Sequence, residues 1–557
     1  MGDTLTNIRK FAAPSLLALA IATPALAVPP DFKAKADALL AEAYPADGPG
    51  ASVVVTEHGK IIYQGSRGLA DVEAKRPIDP QTVFRMGSIT KQFAAAVVLQ
   101  LAAEGKIKLG DPISTYLPAY PPPANTATVA QLLNHTSGIQ SYTSIPGWMV
   151  EANTARSYTT EQLVAVFKDL PPPSKPGEQW SYNNSGYVLV GALIEAVTGQ
   201  PWQVEVDRRI VKPLGLKSIR YGVEENAVPA MAKGYTINGG KLAPSMKIHM
   251  SVPAAAGALL GTPTDLAAWG YALHHNKVVS PPFYAQMIAP TKLSDGSSAP
   301  YGFGIEPESL RGETAIGHSG GIFGFSTDSI YVPSKDIFVA VFANSDSPAT
   351  APAIAMRRLA ALAIDNPFPA FQTIALDSKA VEPMLGVYRF ADTERVVSMR
   401  DGKIYARRRG APEAEVHPAG EGRFHYGPNE LSWFRLAADS AGKPVMEMHG
   451  NGNDEPTLGQ WSGPVPAMAA TVALAPEALA RFVGTYESPM GKLEVTRDEA
   501  GLTLHVPRQQ PAPLRPISDH DFMFDRVEAK ISFSEKDGKV SGLVIDQGGK
   551  QLPATRD

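Results

Sequence analysis

Cysteine is missing from all 557 residues. Its absence removes disulfide bridges, thiol nucleophiles, thiolate-held metals and lipid attachment through cysteine. Also missing are His-Glu-x-x-His, His-x-His and Gly-x-x-x-x-Gly-Lys, so the sequence offers neither a zinc-hydrolase helix nor a phosphate-binding loop. No metal and no cofactor is expected. Neither sign of charge prevails: 51 Lys and Arg stand against 55 Asp and Glu, a formal −4. That balance gives no electrostatic reason to expect nucleic acid or an anionic membrane as partner. Beyond the N-terminus no apolar run is long enough to cross a bilayer. What remains is an ordinary globular composition, 44% hydrophobic and 19% charged, in a chain too long for one core.

Arg9 and Lys10 precede FAAPSLLALAIATPALA, which ends in Ala25-Leu26-Ala27. A basic start, a short apolar run and small residues at its end predict a secretory signal over residues 1–27, hence a periplasmic or secreted protein. Next, DFKAKADALLAEAY places Phe32, Ala36, Leu39, Leu40 and Ala43 on one helical face. ASVVVTEHGKIIYQGSRG reads as a hairpin turning at His58-Gly59. A mostly helical middle follows, with proline-rich loops near 117–125 and 171–177, and His274-His275 reads as a solvent-facing pair at a helix end. Strands return in TAIGHSGG, FSTDSIYV and IFVAVFAN, before a closing helix over 349–365. Five strands embracing a helical insertion give one α+β domain over residues 28–370. Residues 376–463 and 475–557 look like a diverged repeat. Gly386-Val387-Tyr388 matches Gly484-Thr485-Tyr486, Phe424 matches Phe522, and Gly442-Lys443 matches Gly538-Lys539. Two small antiparallel β-barrels or lipocalin-like modules are expected there.

The chemistry concentrates at FRMGSITKQF, where Ser88 and Lys91 stand at i and i+3 before a long apolar helix. That spacing puts both side chains on one face. A serine hydroxyl needs a base to take its proton, and lysine serves only if burial keeps it neutral. The bland reading is a helix cap and a surface charge, and Ser-x-x-Lys does recur at Ser440–Lys443. Two more elements join the first. Tyr182-Asn183-Asn184 precedes another apolar helix; a tyrosine can shuttle a proton and an asparagine amide can hold a carbonyl. His318-Ser319-Gly320, followed by Gly321, lies on a strand, where glycines let a substrate approach and free a backbone N–H for an oxyanion.

Ser88–Lys91, Tyr182–Asn184 and His318–Gly320, in this order, resemble the three motifs of the serine β-lactamase and penicillin-binding-protein superfamily. The likeness is to its class C-like branch of D-Ala-D-Ala carboxypeptidases, D-aminopeptidases, esterases and class C β-lactamases. VAQLLNHTSGI, PLGLKS, AAGALLGTPTDLAAW and YGFG are similar too, so the resemblance covers about residues 31–365. It implies a β-lactamase/transpeptidase-like fold, with a five-stranded antiparallel sheet, flanking helices and a helical subdomain. It implies Ser88 as nucleophile, Lys91 as its activator and Tyr182 as proton carrier. Asn184 and His318 would position the substrate on a strand whose Gly320 and Gly321 complete the site, with the N–H groups of Ser88 and Gly321 as oxyanion hole. His318 stands where β-lactamases of this branch usually carry lysine, which turns the reading towards peptidases acting beside D-residues. His135 has a family counterpart and reads as a loop-stabilising residue.

GHSGG also satisfies Gly-x-Ser-x-Gly with Ser319 at its centre, but that motif needs a strand, a sharp turn and a helix, and strands follow here. The expected activity is an exported serine hydrolase cleaving amides or peptides beside D-amino acids such as D-alanine. A broad carboxylesterase, a class C-like β-lactamase and a penicillin-binding receptor without turnover are the alternatives. The expected partner is a small peptide, amide or ester, peptidoglycan fragments included. The trailing modules resemble the architecture of D-aminopeptidases of this branch, in which a β-domain loop reaches the active site; shaping the cleft, binding cell-wall material and stabilising the catalytic domain are the roles left open for them.

Overall fold

The computed structural model describes residues 28–465, 471–489, 491–498, 501–506, 511–524, 529–547 and 550–557. The expected signal over residues 1–27 lies outside them. The β-branched runs pair as an antiparallel sheet of β1 (Ala51–Glu57), β2 (Lys60–Arg67), β3 (Glu306–Leu310), β4 (Glu313–Ile322), β5 (Phe325–Val332) and β6 (Ile337–Ala343). Their order is β3-β4-β5-β6-β1-β2. Six strands stand where five were expected. The extra one, Glu-Pro-Glu-Ser-Leu, has no β-branched residue and carries a proline, which an edge strand tolerates because one side needs no partner. His58 and Gly59 form the two-residue turn between β1 and β2 with φ of 50° and 71°, as such hairpin loops require.

One face of the sheet is covered by α1 (Phe32–Ala43) and α5 (Pro352–Ala363). The former buries Phe32, Ala36, Leu39, Leu40 and Ala43, the set that its 3.6-residue period selects. Against the other face lies α4 (Pro263–His274), with the helical region beyond it. At that region's centre is α2 (Thr90–Ala103), whose residues from Thr90 to Leu99 are all buried. A helix apolar on every side belongs inside a domain. Phe93 stacks on Trp269 of α4 with ring centroids 4.1 Å apart, a pair contributing about 1 kcal/mol beyond its buried area. Beside it runs α3 (Asn184–Thr198), opened by the Asn183 side chain accepting from Gly186 N–H and closed at Gly199, φ 68°. The pair His274-His275 does end a helix but is not free in solvent. His274 stacks on Tyr331 at 4.1 Å and shares a hydrogen bond with Tyr284, and His275 pairs with Asp336 at 3.2 Å.

The two trailing modules are closed eight-stranded barrels, one between Gly386 and Gly463 and one between Gly484 and Arg556. Closure removes the exposed edges that short strands would leave. The repeat seen in the sequence is a repeat of geometry. Gly386 and Gly484 open the barrels at φ 154° and 155°. Tyr388 and Tyr486 are fully buried, and their hydroxyls return to the carbonyls of Met384 and Phe482, the latter at 2.7 Å. Phe424 and Phe522 sit in the fifth strands, and Gly442 and Gly538, φ 78° and 73°, turn the sixth strands into the seventh.

The first barrel docks along α5. Thr350 donates to Asn429 Oδ1 at 2.6 Å, Arg311 to the Gly452 carbonyl at 3.0 Å, and Arg358 to the Pro428 carbonyl. These contacts tie the barrel to α5 and to the turn between β3 and β4. Replacing Tyr486 with Phe leaves the buried Phe482 carbonyl without its partner. It is expected to lower the stability of the second barrel by about 1 kcal/mol, read as a shifted urea midpoint; an unchanged midpoint would contradict this anchoring.

Candidate active site

Ser88 sits in a single 3₁₀ turn, Gly87–Ile89, immediately before α2. Its hydroxyl caps nothing, because α2 starts after Ile89 with no side-chain cap. The hydroxyl lies instead 3.0 Å from Lys91 Nζ. That amine is wholly buried and also lies 3.0 Å from Asn184 Oδ1 and 2.8 Å from the Ala256 carbonyl. Burial pushes Lys91 well below the usual lysine range, and Glu306 opposes this only weakly. In its uncharged form the amine gives its two N–H bonds to the two pure acceptors, which leaves its lone pair for the Ser88 hydroxyl.

Tyr182 lies over this group, with Lys91 Nζ 4.7 Å from its ring centroid. Burial raises its phenol far above the ordinary value, and a hydrogen bond with Ser88 pulls the other way. Asn184 spends its oxygen on Lys91 and donates through Nδ2 to Thr143 at 3.1 Å. Thus the first two motifs converge on one amine; Thr143 is a partner that no sequence motif marks, and Ala256 belongs to the AAGALLGTPTDLAAW stretch, though the role of its carbonyl follows from the fold alone.

The third motif forms the opposite wall. Pairing of β3 with β4 stops at Gly317, so residues 318–322 keep one free edge within the sheet. A Cβ on Gly320 would fall 2.1 Å from the Met86 carbonyl oxygen and 2.3 Å from Thr327 Oγ1. The strand therefore touches the turn bearing Ser88 at a distance only glycine permits. A Cβ on Gly321 would meet nothing within 4 Å; that residue faces open space. His318 is buried, with Nε2 2.7 Å from the Tyr301 hydroxyl and Nδ1 2.6 Å from the Ser319 carbonyl. The carbonyl can only accept, so Nδ1 carries the proton and Nε2 accepts from Tyr301. Burial, with Lys91 nearby, lowers His318 to about 3; it is a neutral ring. Tyr301 belongs to the YGFG stretch seen in the sequence, but its place behind His318 follows from the fold alone. Ser319 lies inside β4, paired with Asp328, with no nucleophile turn.

Among the described residues no group of three or more His, Asp or Glu is arranged to hold a metal, and no helix is long and apolar enough to cross a membrane. Adding a methyl at Gly320 is expected to separate β4 from the Ser88 turn and reduce turnover about a hundredfold or more, in line with the loss of oxyanion contacts. Gly321→Ala is expected to stay within about tenfold of the parent, because space is open there and its N–H is retained. Steady-state kinetics on the two variants checks the contrast, and equal losses would contradict it.

The family described as Beta-lactamase matches residues 38–363. A D-aminopeptidase of Gluconobacter oxydans is 27% identical over 325 residues, which cover 58% of this chain and 60% of that protein. Esterase EstB of Burkholderia gladioli is 34% identical over 181 residues, 30% of this chain and 46% of its own. A D-stereospecific amidohydrolase from Streptomyces is similar in structure, with a TM-score of 0.50 and 30% identity over 57% of this chain and 95% of its own.

Proposed function

Because the chain belongs to the Beta-lactamase family, matched over residues 38–363, we propose that it is an exported D-stereospecific amidase or peptidase acting through an acyl-enzyme on Ser88. Residues 1–27 would be its signal, 28–370 its hydrolase domain, and 376–463 and 475–557 its trailing modules. The observation that carries the mechanism is Lys91, a fully buried amine held between Ser88, Asn184 and the Ala256 carbonyl. As Ser88 Oγ attacks the substrate carbonyl, its proton passes to Lys91. The oxyanion lies between the N–H groups of Ser88 and Gly321, a stabilisation worth roughly 3 kcal/mol per donor. Tyr182 then gives a proton to the departing nitrogen and is reprotonated from Lys91. The C–N bond breaks and the acyl group stays on Ser88, until water repeats the sequence in reverse.

Asn184 and His318 position the substrate indirectly. Asn184 orients Lys91, and His318 fixes the wall formed by β4 and Tyr301. Since His318 is neutral and both its nitrogens are engaged, it brings no positive charge for a substrate carboxylate. That favours amides and N-terminal D-residues over carboxypeptidase substrates. The D-aminopeptidase of Gluconobacter and the Streptomyces amidohydrolase support the D-preference. The resemblance to EstB over 181 residues supports ester cleavage as the second reading.

The test is hydrolysis of D- and L-alaninamide, with a short ester and a chromogenic cephalosporin beside them, by the parent and Ser88→Ala. Cleavage of the D-amide at least about a hundredfold faster than the L-amide, lost in Ser88→Ala, is the expected result. Ester cleavage alone would replace the amidase reading by the esterase one, and activity surviving Ser88→Ala would refute the mechanism.

A further inference from the structure

The residues on either side of Tyr182 bond to one and the same residue. Ser181 N–H donates to the carbonyl of His135 at 3.0 Å, and Asn183 N–H donates to its ring Nδ1 at 3.1 Å. The imidazole also packs against the Tyr182 ring, centroids 4.4 Å apart. His135 is 2% exposed and holds φ at 64°, a left-handed conformation uncommon outside glycine, in which asparagine, aspartate and histidine are the enriched side chains. Its own segment is tied in turn: Thr136 N–H donates to Gln131 at 3.0 Å, and Gly177 N–H to Thr136 at 2.8 Å.

The protonation of the ring follows from these contacts. Nδ1 accepts, so the proton is on Nε2 and the ring is neutral. Nε2 has no hydrogen-bond partner and is packed where the rings of Tyr182, Tyr301 and Tyr187 meet, the latter two at 4.5 and 5.3 Å. Burial, followed by the fields of Lys91 and His318, pushes His135 far below the ordinary histidine range, so its acceptor remains available throughout the working pH. A buried N–H without a partner is an expense that a residue kept only for filling space would not require.

We propose that His135 is a positioning residue for proton transfer: it clamps the backbone on both sides of Tyr182 and braces its ring, so that the phenol stays aligned between Ser88 and the leaving group. The proposal rests on the reading of Ser88, Lys91 and Tyr182 as the acylating set. Its consequence is selective. When the acyl group moves to Ser88, an amine or alkoxide must gain a proton from Tyr182 as its bond to carbon breaks, whereas p-nitrophenolate departs without one. Loosening the clamp therefore penalises basic leaving groups and spares good ones.

The experiment uses the full chain with His135→Leu and His135→Asn. Asparagine keeps an acceptor near the place of Nδ1 and tolerates positive φ. Substrates are p-nitrophenyl acetate, an alkyl acetate and D-alaninamide. Leucine is expected to lower kcat/KM, which reports acylation and not hydrolysis of the shared acyl-enzyme, about thirtyfold or more on the alkyl ester and the amide, and to cost less than about fivefold on the p-nitrophenyl ester. Asparagine should stay within about fivefold on all three, and in a Tyr182→Phe background leucine should add less than about threefold. Equal loss on all substrates, equal loss in both backgrounds, or no loss with leucine would overturn the proposal. Retained p-nitrophenyl ester cleavage shows that the variants are folded. Should the parent cleave esters through Ser88 but no D-amide, the amidase reading fails alone, and the two esters still decide the role of His135.

Discussion

An amine with no charge to pair with sets the terms for this active site. Lys91 has no solvent exposure, and its three partners are a hydroxyl, an amide oxygen and a backbone carbonyl. An ammonium ion there would lose several kcal/mol of hydration. The faces of Tyr182 and Tyr187, 4.7 and 5.4 Å away, would return on the order of 1–2 kcal/mol, which leaves the neutral amine favoured. Everything that keeps water out is thereby part of the catalyst: α2 buried on every side, the start of α3 that delivers Asn184, and the turn ending at Ala256, in which Ala254 takes φ of 42°.

The second constraint is contact between two backbones. The turn bearing Ser88 and the free edge of β4 approach so closely that Gly320 admits no side chain. Thr327 from β5 fastens the junction by donating to the Met86 carbonyl at 3.0 Å. Helix and sheet thus meet where an oxyanion would form, and the sheet's far face is left to α1 and α5.

Much of this was readable in the chain, because the decisive patterns are local. Ser88 and Lys91 are three residues apart, and the helix behind them is apolar from Phe93 to Leu99; a fixed period therefore implies a shared face. The barrel repeat was legible in Gly386 and Gly484 because only glycine suits their backbone. What escaped depends on distant partners. Strand β3 has none of the residues that mark strands and exists because β4 offers an edge. Tyr301 meets His318 across seventeen residues of chain, the span between positions 301 and 318, with a hydrogen bond that no pattern announces. His135 reads as a loop residue until Ser181 and Asn183, more than forty positions later, are seen bonded to it. The docking of the first barrel along α5 had no signal in the sequence.

The neutral amine at Lys91 can be observed directly. A buried lysine whose protonation is pushed below its ordinary value of 10.5 binds fewer protons folded than unfolded, so its contribution to stability rises with pH between those two values. Nitrogen-15 NMR of lysine-labelled protein, titrated from neutral to alkaline pH and compared with Lys91→Arg, reads that proton. The account predicts one side-chain amine that loses its proton well below the rest, and whose signal is absent from the variant. If every lysine instead kept its proton until the ordinary range near 10, Lys91 would be a cation in the resting enzyme and could not be the base that activates Ser88.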